Sequence, residues 1–264
     1  MKIALIGTGM MGERMGGRLL DAGHELAVFN RTRERTAALE ARGAAVADTP
    51  RAAAEGAEFL ITMLADAAAV RATTRGETGF LAAPGERLWV DMSTVSPAES
   101  RDLAAEARRR GVRVLDAPVS GSLGAAVKGM LVILVGDPAH GPKRRGQRHQ
   151  AGGERVPSRD HGRGLRGAQA RIREGVRREE LLEALTRTEI LPAWVLGKLE
   201  SLGAGEMRTA FSLALADKDL RLIEETASAA SLELPLAKAV AGVYARALEA
   251  GLGDRDFSAV DTAG

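Results

Sequence analysis

The sequence predicts an α/β fold, a doubly wound parallel sheet followed by a smaller all-α domain. Three observations predict it. Short apolar or β-branched runs alternate with longer amphipathic stretches from the start to Gly136, a glycine-rich turn joins the first run to the first amphipathic stretch, and purely helical sequence follows Arg178. Seven strands are expected, near Lys2 to Ile6, Glu25 to Phe29, Ala44 to Val46, Glu58 to Met63, Arg87 to Asp91, Val112 to Asp116 and Met130 to Val135, with helices between most of them. Right-handed crossovers then give the doubly wound sheet.

These elements make a first domain of residues 1–137. Residues 138–178 form an aberrant connecting segment, because positions 139 to 178 hold 11 Arg, 8 Gly and 3 of the chain's 4 His, with only Val156, Leu165, Ile172 and Val176 as larger apolar residues. No helix or strand period survives there. Residues 179–264 read as an all-helical domain, with helices expected around Glu179 to Arg187, Leu191 to Leu202, Phe211 to Ser231 and Leu236 to Ala250.

A chain of 264 residues, 45% hydrophobic and 27% charged, has the composition of a globular protein with room for two modest cores. With no cysteine, disulfides, thiolate metal sites and Cys catalysis are excluded, and a reducing cytosol fits. The apolar opening is broken by Gly7 and Gly9 too early for an export signal, and no apolar run approaches the roughly 18 residues of a membrane helix. A cytoplasmic protein without a membrane partner is expected.

The pI of about 9.2 invites a nucleic-acid reading. Residues 139 to 178 hold 12 Lys and Arg against Glu154, Asp160 and Glu174, a surplus of +9 in a chain whose total is +2, so the remainder sums to −7. Any polyanion partner would rest on that one segment, and no nucleic acid is expected as a partner.

Gly7-Thr8-Gly9-Met10-Met11-Gly12 is a G-x-G-x-x-G that directly follows a buried-strand pattern and opens a helix running to about Ala22. In that context its backbone N–H groups and the helix N-terminus can meet a pyrophosphate, as in a Rossmann-type fold. The alternative is a structural glycine turn in another α/β protein. The second strand ends in Asn30-Arg31-Thr32, where an NAD site usually carries an acid for the ribose 2′-OH. A neutral Asn beside an Arg instead favours a 2′-phosphate, so NADP is the expected cofactor with NAD as the second choice. Against this, Arg31, Arg33 and Arg35 also fit a solvated helix start.

Several separated motifs together resemble the β-hydroxyacid dehydrogenase family, with its 6-phosphogluconate dehydrogenase-type NADP-binding domain. They are Ile6 to Gly12, Phe29-Asn30-Arg31-Thr32, Thr62-Met63-Leu64, Val90-Asp91-Met92-Ser93-Thr94-Val95-Ser96-Pro97, Asp116-Ala117-Pro118-Val119-Ser120-Gly121-Ser122 and Lys218-Asp219-Leu220. The resemblance covers 1 to about 137 and about 175 to 260. It implies an oxidoreductase that transfers hydride between NADP(H) and a small 3-hydroxy acid or semialdehyde, working as a dimer or tetramer.

By that resemblance Met63, Leu64 and Thr94 line the nicotinamide end of the cofactor, each at the C-terminal end of a strand where doubly wound sheets bind ligands. Core packing is the other reading of Met63 and Leu64, and capping of the helix near Pro97 that of Ser93 and Thr94. Ser120, Gly121 and Ser122 offer hydroxyls and a close-approaching backbone to a substrate carboxylate, or else an ordinary N-cap. Lys218 falls in helical register with Phe211, Leu215 and Leu222, so its ammonium pairs with Asp217 or Asp219, faces the cofactor as the family implies, or snorkels to the surface.

The family's catalytic lysine lies in a glycine-rich turn leading into the helix that connects the domains. The corresponding place here is within 139 to 178, and no lysine stands between Lys143 and Lys198. Two readings compete, a catalytically disabled relative and a stretch of GC-rich coding sequence read out of frame, and the intact pattern on both flanks favours the second. Either way no catalytic residue is identified, and the chain as written is expected to bind cofactor better than it turns over substrate. The alternative is a non-catalytic NADP-binding protein whose helical domain serves dimerisation.

Overall fold

The computed structural model describes residues 1–138 and 209–262, together with Val195, Gly197, Lys198 and Ser201. Six strands, β1 (Lys2–Ile6), β2 (Glu25–Phe29), β3 (Ala45–Val46), β4 (Phe59–Thr62), β5 (Leu88–Asp91) and β6 (Arg113–Asp116), form one parallel sheet in the order β3-β2-β1-β4-β5-β6. Strand order reverses at β1, so the C-terminal ends of β1 and β4 flank the switch point where such sheets take ligands.

The strands are almost wholly apolar because helices cover both faces. Ala4, Ile6, Leu60 and Trp89 belong to one core with Val70, Phe80 and Leu103, while Ile3, Leu5, Leu26 and Val28 belong to another with Leu39 and Met92. Phe80 meets Trp89 edge to face at 4.9 Å, an arrangement aromatic quadrupoles favour. Helix α1 (Met10–Asp21) lies close to the sheet because Gly16 leaves room for Leu5 and Leu39. Three short helices follow, α2 (Ala37–Glu40), α3 (Pro50–Ala54) and α4 (Ala67–Thr74). Helix α5 (Pro97–Arg109) starts at Pro97 behind a capping box in which Ser96 and Glu99 satisfy each other's backbone N–H. Ser96, not Ser93 or Thr94, is therefore the cap, and those two residues are left for other partners.

The expected seventh strand does not join the parallel sheet. Only Val132–Ile133 is extended, as β8, and it pairs antiparallel with β7 (Val119–Ser120), which the sequence reading missed. The reason is the connection. Helix α6 (Leu123–Lys128) is six residues long and ends at Gly129 in the left-handed conformation, too short a crossover to return a strand parallel to its predecessor. Met130 and Val132 to Val135 are left exposed.

Beyond residue 209 the described chain is helical apart from turns and one isolated bridge, Ser212 to Asp256. Helices α7 (Leu213–Ala229) and α8 (Pro235–Glu249) lie within a residue or two of expectation, and a 3-10 helix (Phe257–Thr262) ends the described chain. The helix expected at Glu179 to Arg187 lies outside the described residues. Of the one expected at Leu191 to Leu202, Val195, Gly197, Lys198 and Ser201 are described and helical. The chain divides into two compact units, one of Met1–Lys143 with Asp217–Ala241 and one of Arg144–Ala216 with Gly242–Gly264.

Within the second unit Asp256, 1% exposed, accepts hydrogen bonds from Lys198 Nζ, the backbone N–H of Ala210, Phe211 and Ser258, and Ser258 Oγ. It fastens three separate stretches of chain at one carboxylate.

Candidate functional site

The glycine-rich turn takes its shape from contacts a side chain would forbid. Gly7 has φ +101° and donates its N–H to Phe29 O at 2.8 Å, and a Cβ there would collide with the Met63 carbonyl oxygen. A Cβ on Gly12 would collide with the Gly7 carbonyl oxygen, whereas one on Gly9 would enter open space. Gly9 is also the N-cap of α1, where no side chain accepts from the first helical N–H groups. The turn therefore offers donors, the positive end of a helix dipole and empty space together, the requirements for an anion. Thr8 is buried beside it, and its hydroxyl has no partner among the described residues.

The end of β2 is tied to this turn. Asn30 Oδ1 accepts from Thr8 N at 3.1 Å and its Nδ2 donates to Thr32 O at 2.8 Å, so the side chain expected near the ribose also braces the loop. Arg33 pairs with Asp48 at 2.9 Å, while Arg31 is exposed and makes no ion pair among the described residues. Arg31, which directly follows Asn30, therefore has its guanidinium uncommitted among the described residues.

Met63 and Leu64 follow β4, and Ser93 and Thr94 follow the neighbouring β5. Leu64 N–H donates to Ser93 Oγ at 3.0 Å, and Ser93 N–H donates to Asp91 Oδ1 at 3.1 Å. Thr62 Oγ1 donates to the same Asp91 oxygen at 2.7 Å and accepts from Trp89 Nε1 at 2.8 Å. Burial raises the Asp91 carboxyl above its ordinary value; bonds from Thr62 and Ser93 work against the rise, and the Asp116 charge adds to it. Asp116, its partner in register on β6, is likewise raised by burial and eased by a bond from Ser100. Sequence reasoning gave neither Thr62 nor Asp91 a role, although both lie in the motifs that carry the resemblance. Their one signal was a polar residue ending each of two otherwise apolar strands.

Lys218 on α7 donates to the Thr94 carbonyl at 2.8 Å and pairs with Asp219 at 2.8 Å, while Asp217 pairs with Arg221. The lysine is therefore anchored on the β5 loop rather than free at the surface. Ser120 is exposed in β7, Gly121 has φ +145°, and Ser122 Oγ accepts from Ala125 N at 3.2 Å as the N-cap of α6. The capping reading of Ser122 is thus realised, leaving the Ser120 hydroxyl and the Gly121 backbone as the exposed polar groups of that turn.

Residues 2–146 match the model of the NAD binding domain of 6-phosphogluconate dehydrogenase, and 170–262 match that of the NAD-binding domain of NADP-dependent 3-hydroxyisobutyrate dehydrogenase. Residues 147–169 lie between the two. The chain is 32% identical to 3-sulfolactaldehyde reductase of Escherichia coli over 98% of its own length and 94% of that protein's. It is 46% identical to an uncharacterized oxidoreductase of Bacillus subtilis, YfjR, over 53% of this chain and 49% of that protein. The fold is also that of 3-hydroxyisobutyrate dehydrogenase from Salmonella typhimurium, at TM-score 0.80 and 20% identity over 99% of both chains. With one cofactor-domain model spanning more than half of its residues and a relative alignable along nearly all of them, the chain belongs to the β-hydroxyacid dehydrogenase family of NAD(P)-dependent oxidoreductases.

Proposed function

We propose that the protein binds NADP(H) and descends from enzymes that exchange hydride between it and a short 3-hydroxy acid or semialdehyde. The observation that carries this reading is the end of β2, where Asn30 is tied into the glycine turn and Arg31 stands exposed with no ion pair among the described residues. A guanidinium there can grip a 2′-phosphate through two parallel hydrogen bonds, and the residue directly after the strand is the neutral Asn30. The Gly9 turn and the α1 N-terminus take the pyrophosphate. Met63, Leu64, Thr94 and Lys218 face the nicotinamide.

The nicotinamide supplies the hydride when bound. The protein's part is to orient it, to hold an acid group of the substrate at Ser120 and Gly121, and to move one proton at the substrate oxygen. The names of the relatives, a sulfolactaldehyde reductase and a 3-hydroxyisobutyrate dehydrogenase, support a small substrate bearing an acid group. For the proton, the family's lysine has no counterpart between Lys143 and Lys198. Arginine cannot replace it, because a guanidinium stays protonated. The chain as written therefore holds cofactor better than it turns over substrate, which favours as second reading a non-catalytic NADP-binding protein. We propose further that it is a cytoplasmic homo-oligomer; among the described residues no helix is long and apolar enough to cross a membrane.

Calorimetry on the full chain tests the first part. NADPH is expected to bind more tightly than NADH, and Arg31→Ala to erase about tenfold of that preference, the worth of one charge-assisted bond pair. Heat from neither dinucleotide, or tighter binding of NADH, overturns it. Steady-state assays with short semialdehydes are expected to be far below the rate restored when a lysine-bearing segment from a relative replaces 139 to 178. Absence of turnover even then favours the non-catalytic reading.

A further inference from the structure

We infer that Asp91 is a positioning residue for the nicotinamide half of the cofactor, acting through the hydrogen-bond ladder that joins the ends of β4 and β5. The inference rests on the reading of Leu64 and Thr94 as the nicotinamide end.

Every donor in the ladder points toward Asp91. From one side Trp89 Nε1–H donates to Thr62 Oγ1, and the Thr62 hydroxyl donates to Asp91 Oδ1. From the other, Leu64 N–H donates to Ser93 Oγ, and Ser93 N–H donates to Asp91 Oδ1. Thr62, Ser93, Asp91 and Trp89 are all buried, so none of these groups has water as a substitute. Both bonds that reach Asp91 end on one oxygen, Oδ1, so the ladder needs an acceptor at that position.

Its outer ends are the half-buried Leu64 and the exposed Thr94. Ser93 Oγ fixes the backbone of Leu64, Ser93 itself precedes Thr94, and the Thr94 carbonyl receives Lys218. Losing the Oδ1 acceptor would free Ser93 N–H, and a shift of Ser93 would carry Leu64 N–H and Thr94 with it, without any contact between Asp91 and a ligand. The adenine half of the site, the Gly9 turn with Asn30 and Arg31, has no member of this ladder.

That separation supplies the test. Full-length wild type, Asp91→Ala and Ser93→Ala are titrated with NADPH, followed by nicotinamide fluorescence, and with adenosine 2′,5′-bisphosphate, which carries only the adenine half. Asp91→Ala, which removes the Oδ1 acceptor, is expected to raise the NADPH dissociation constant about tenfold and leave that of the bisphosphate within about twofold. Ser93→Ala keeps the Asp91 acceptor and deletes the onward link to Leu64 N–H; it is expected to show the same selective loss and decides the matter if Asp91→Ala fails to fold. Equal weakening of both ligands assigns the ladder a merely structural role and overturns the inference, as does no weakening of either. Wild type that binds neither ligand overturns the cofactor reading itself, and the inference with it.

Discussion

Two glycines of the turn after β1, Gly9 and Gly12, separate folding from binding, and alanine at each should show it. At Gly9 the added methyl enters open space, and the backbone, φ −69° and ψ −172°, suits any residue. The fold loses only the preference of an N-cap for glycine over alanine, about 1 kcal/mol at most. The stiffer unfolded chain returns about 0.4–1 kcal/mol, so stability should stay within about 1 kcal/mol of wild type. The methyl nevertheless fills the space in front of the α1 N–H groups. Excluding one charge-assisted bond to a pyrophosphate is worth about 1.5–3 kcal/mol, so the NADPH dissociation constant should rise at least about tenfold. At Gly12 the methyl meets the Gly7 carbonyl oxygen, a backbone atom that cannot swing aside. Overpacking of that kind costs about 1–3 kcal/mol, and Gly12→Ala should lose stability and binding together. Urea denaturation and NADPH titration of the two variants make the comparison. A Gly9→Ala protein that melts with wild type and still binds NADPH as tightly would refute the argument that the turn exists to admit an anion.

Asp256→Ala leaves the Lys198 ammonium and three backbone N–H groups without their acceptor and should cost about 3 kcal/mol in urea denaturation. Burial alone would raise that carboxyl, but bonds from Lys198, Ser258 and the N–H groups of Ala210 and Ser258 outweigh it and bring it down to about 2. A folded value below the ordinary one of about 3.9 means its contribution is complete above pH ~4 and lost as pH falls toward ~2. The wild type should accordingly lose stability more steeply than Asp256→Ala across that window, and parallel curves would sink the assignment. Arg87 is 4% exposed and donates to the carbonyls of Phe80, Ala83, Pro84 and Gly85, of which Phe80 and Ala83 are buried. Arg87→Met should cost about 2–4 kcal/mol, and Arg87→Lys should recover only part, since an ammonium lacks the planar fork. A loss below about 1 kcal/mol in denaturant titration would show that the carbonyls find other donors.

The six parallel strands were legible because buried strands write themselves as apolar runs, and the glycine turn because its spacing is unusual directly after one. The run at 130–135 is just as apolar, yet it misled. Hydrophobicity reports burial potential and not the pairing partner, which the six-residue α6 decided by being too short for a parallel crossover. The ladder at Asp91 was not legible for a different reason. Thr62 and Asp91 are 29 positions apart and become neighbours only through the register of β4 on β5. The meeting of Lys218 with Thr94, 124 positions away, was readable only as an unpaired charge on an apolar stripe that needed some partner.

Because Thr62 and Ser93 converge on a single carboxylate, the segments after β4 and β5 cannot wander separately. A molecule arriving there meets a surface whose disorder was removed when the chain folded, so little of its affinity is spent on freezing loops. Such a site should discriminate by shape from the first encounter, and its selectivity should change little with temperature.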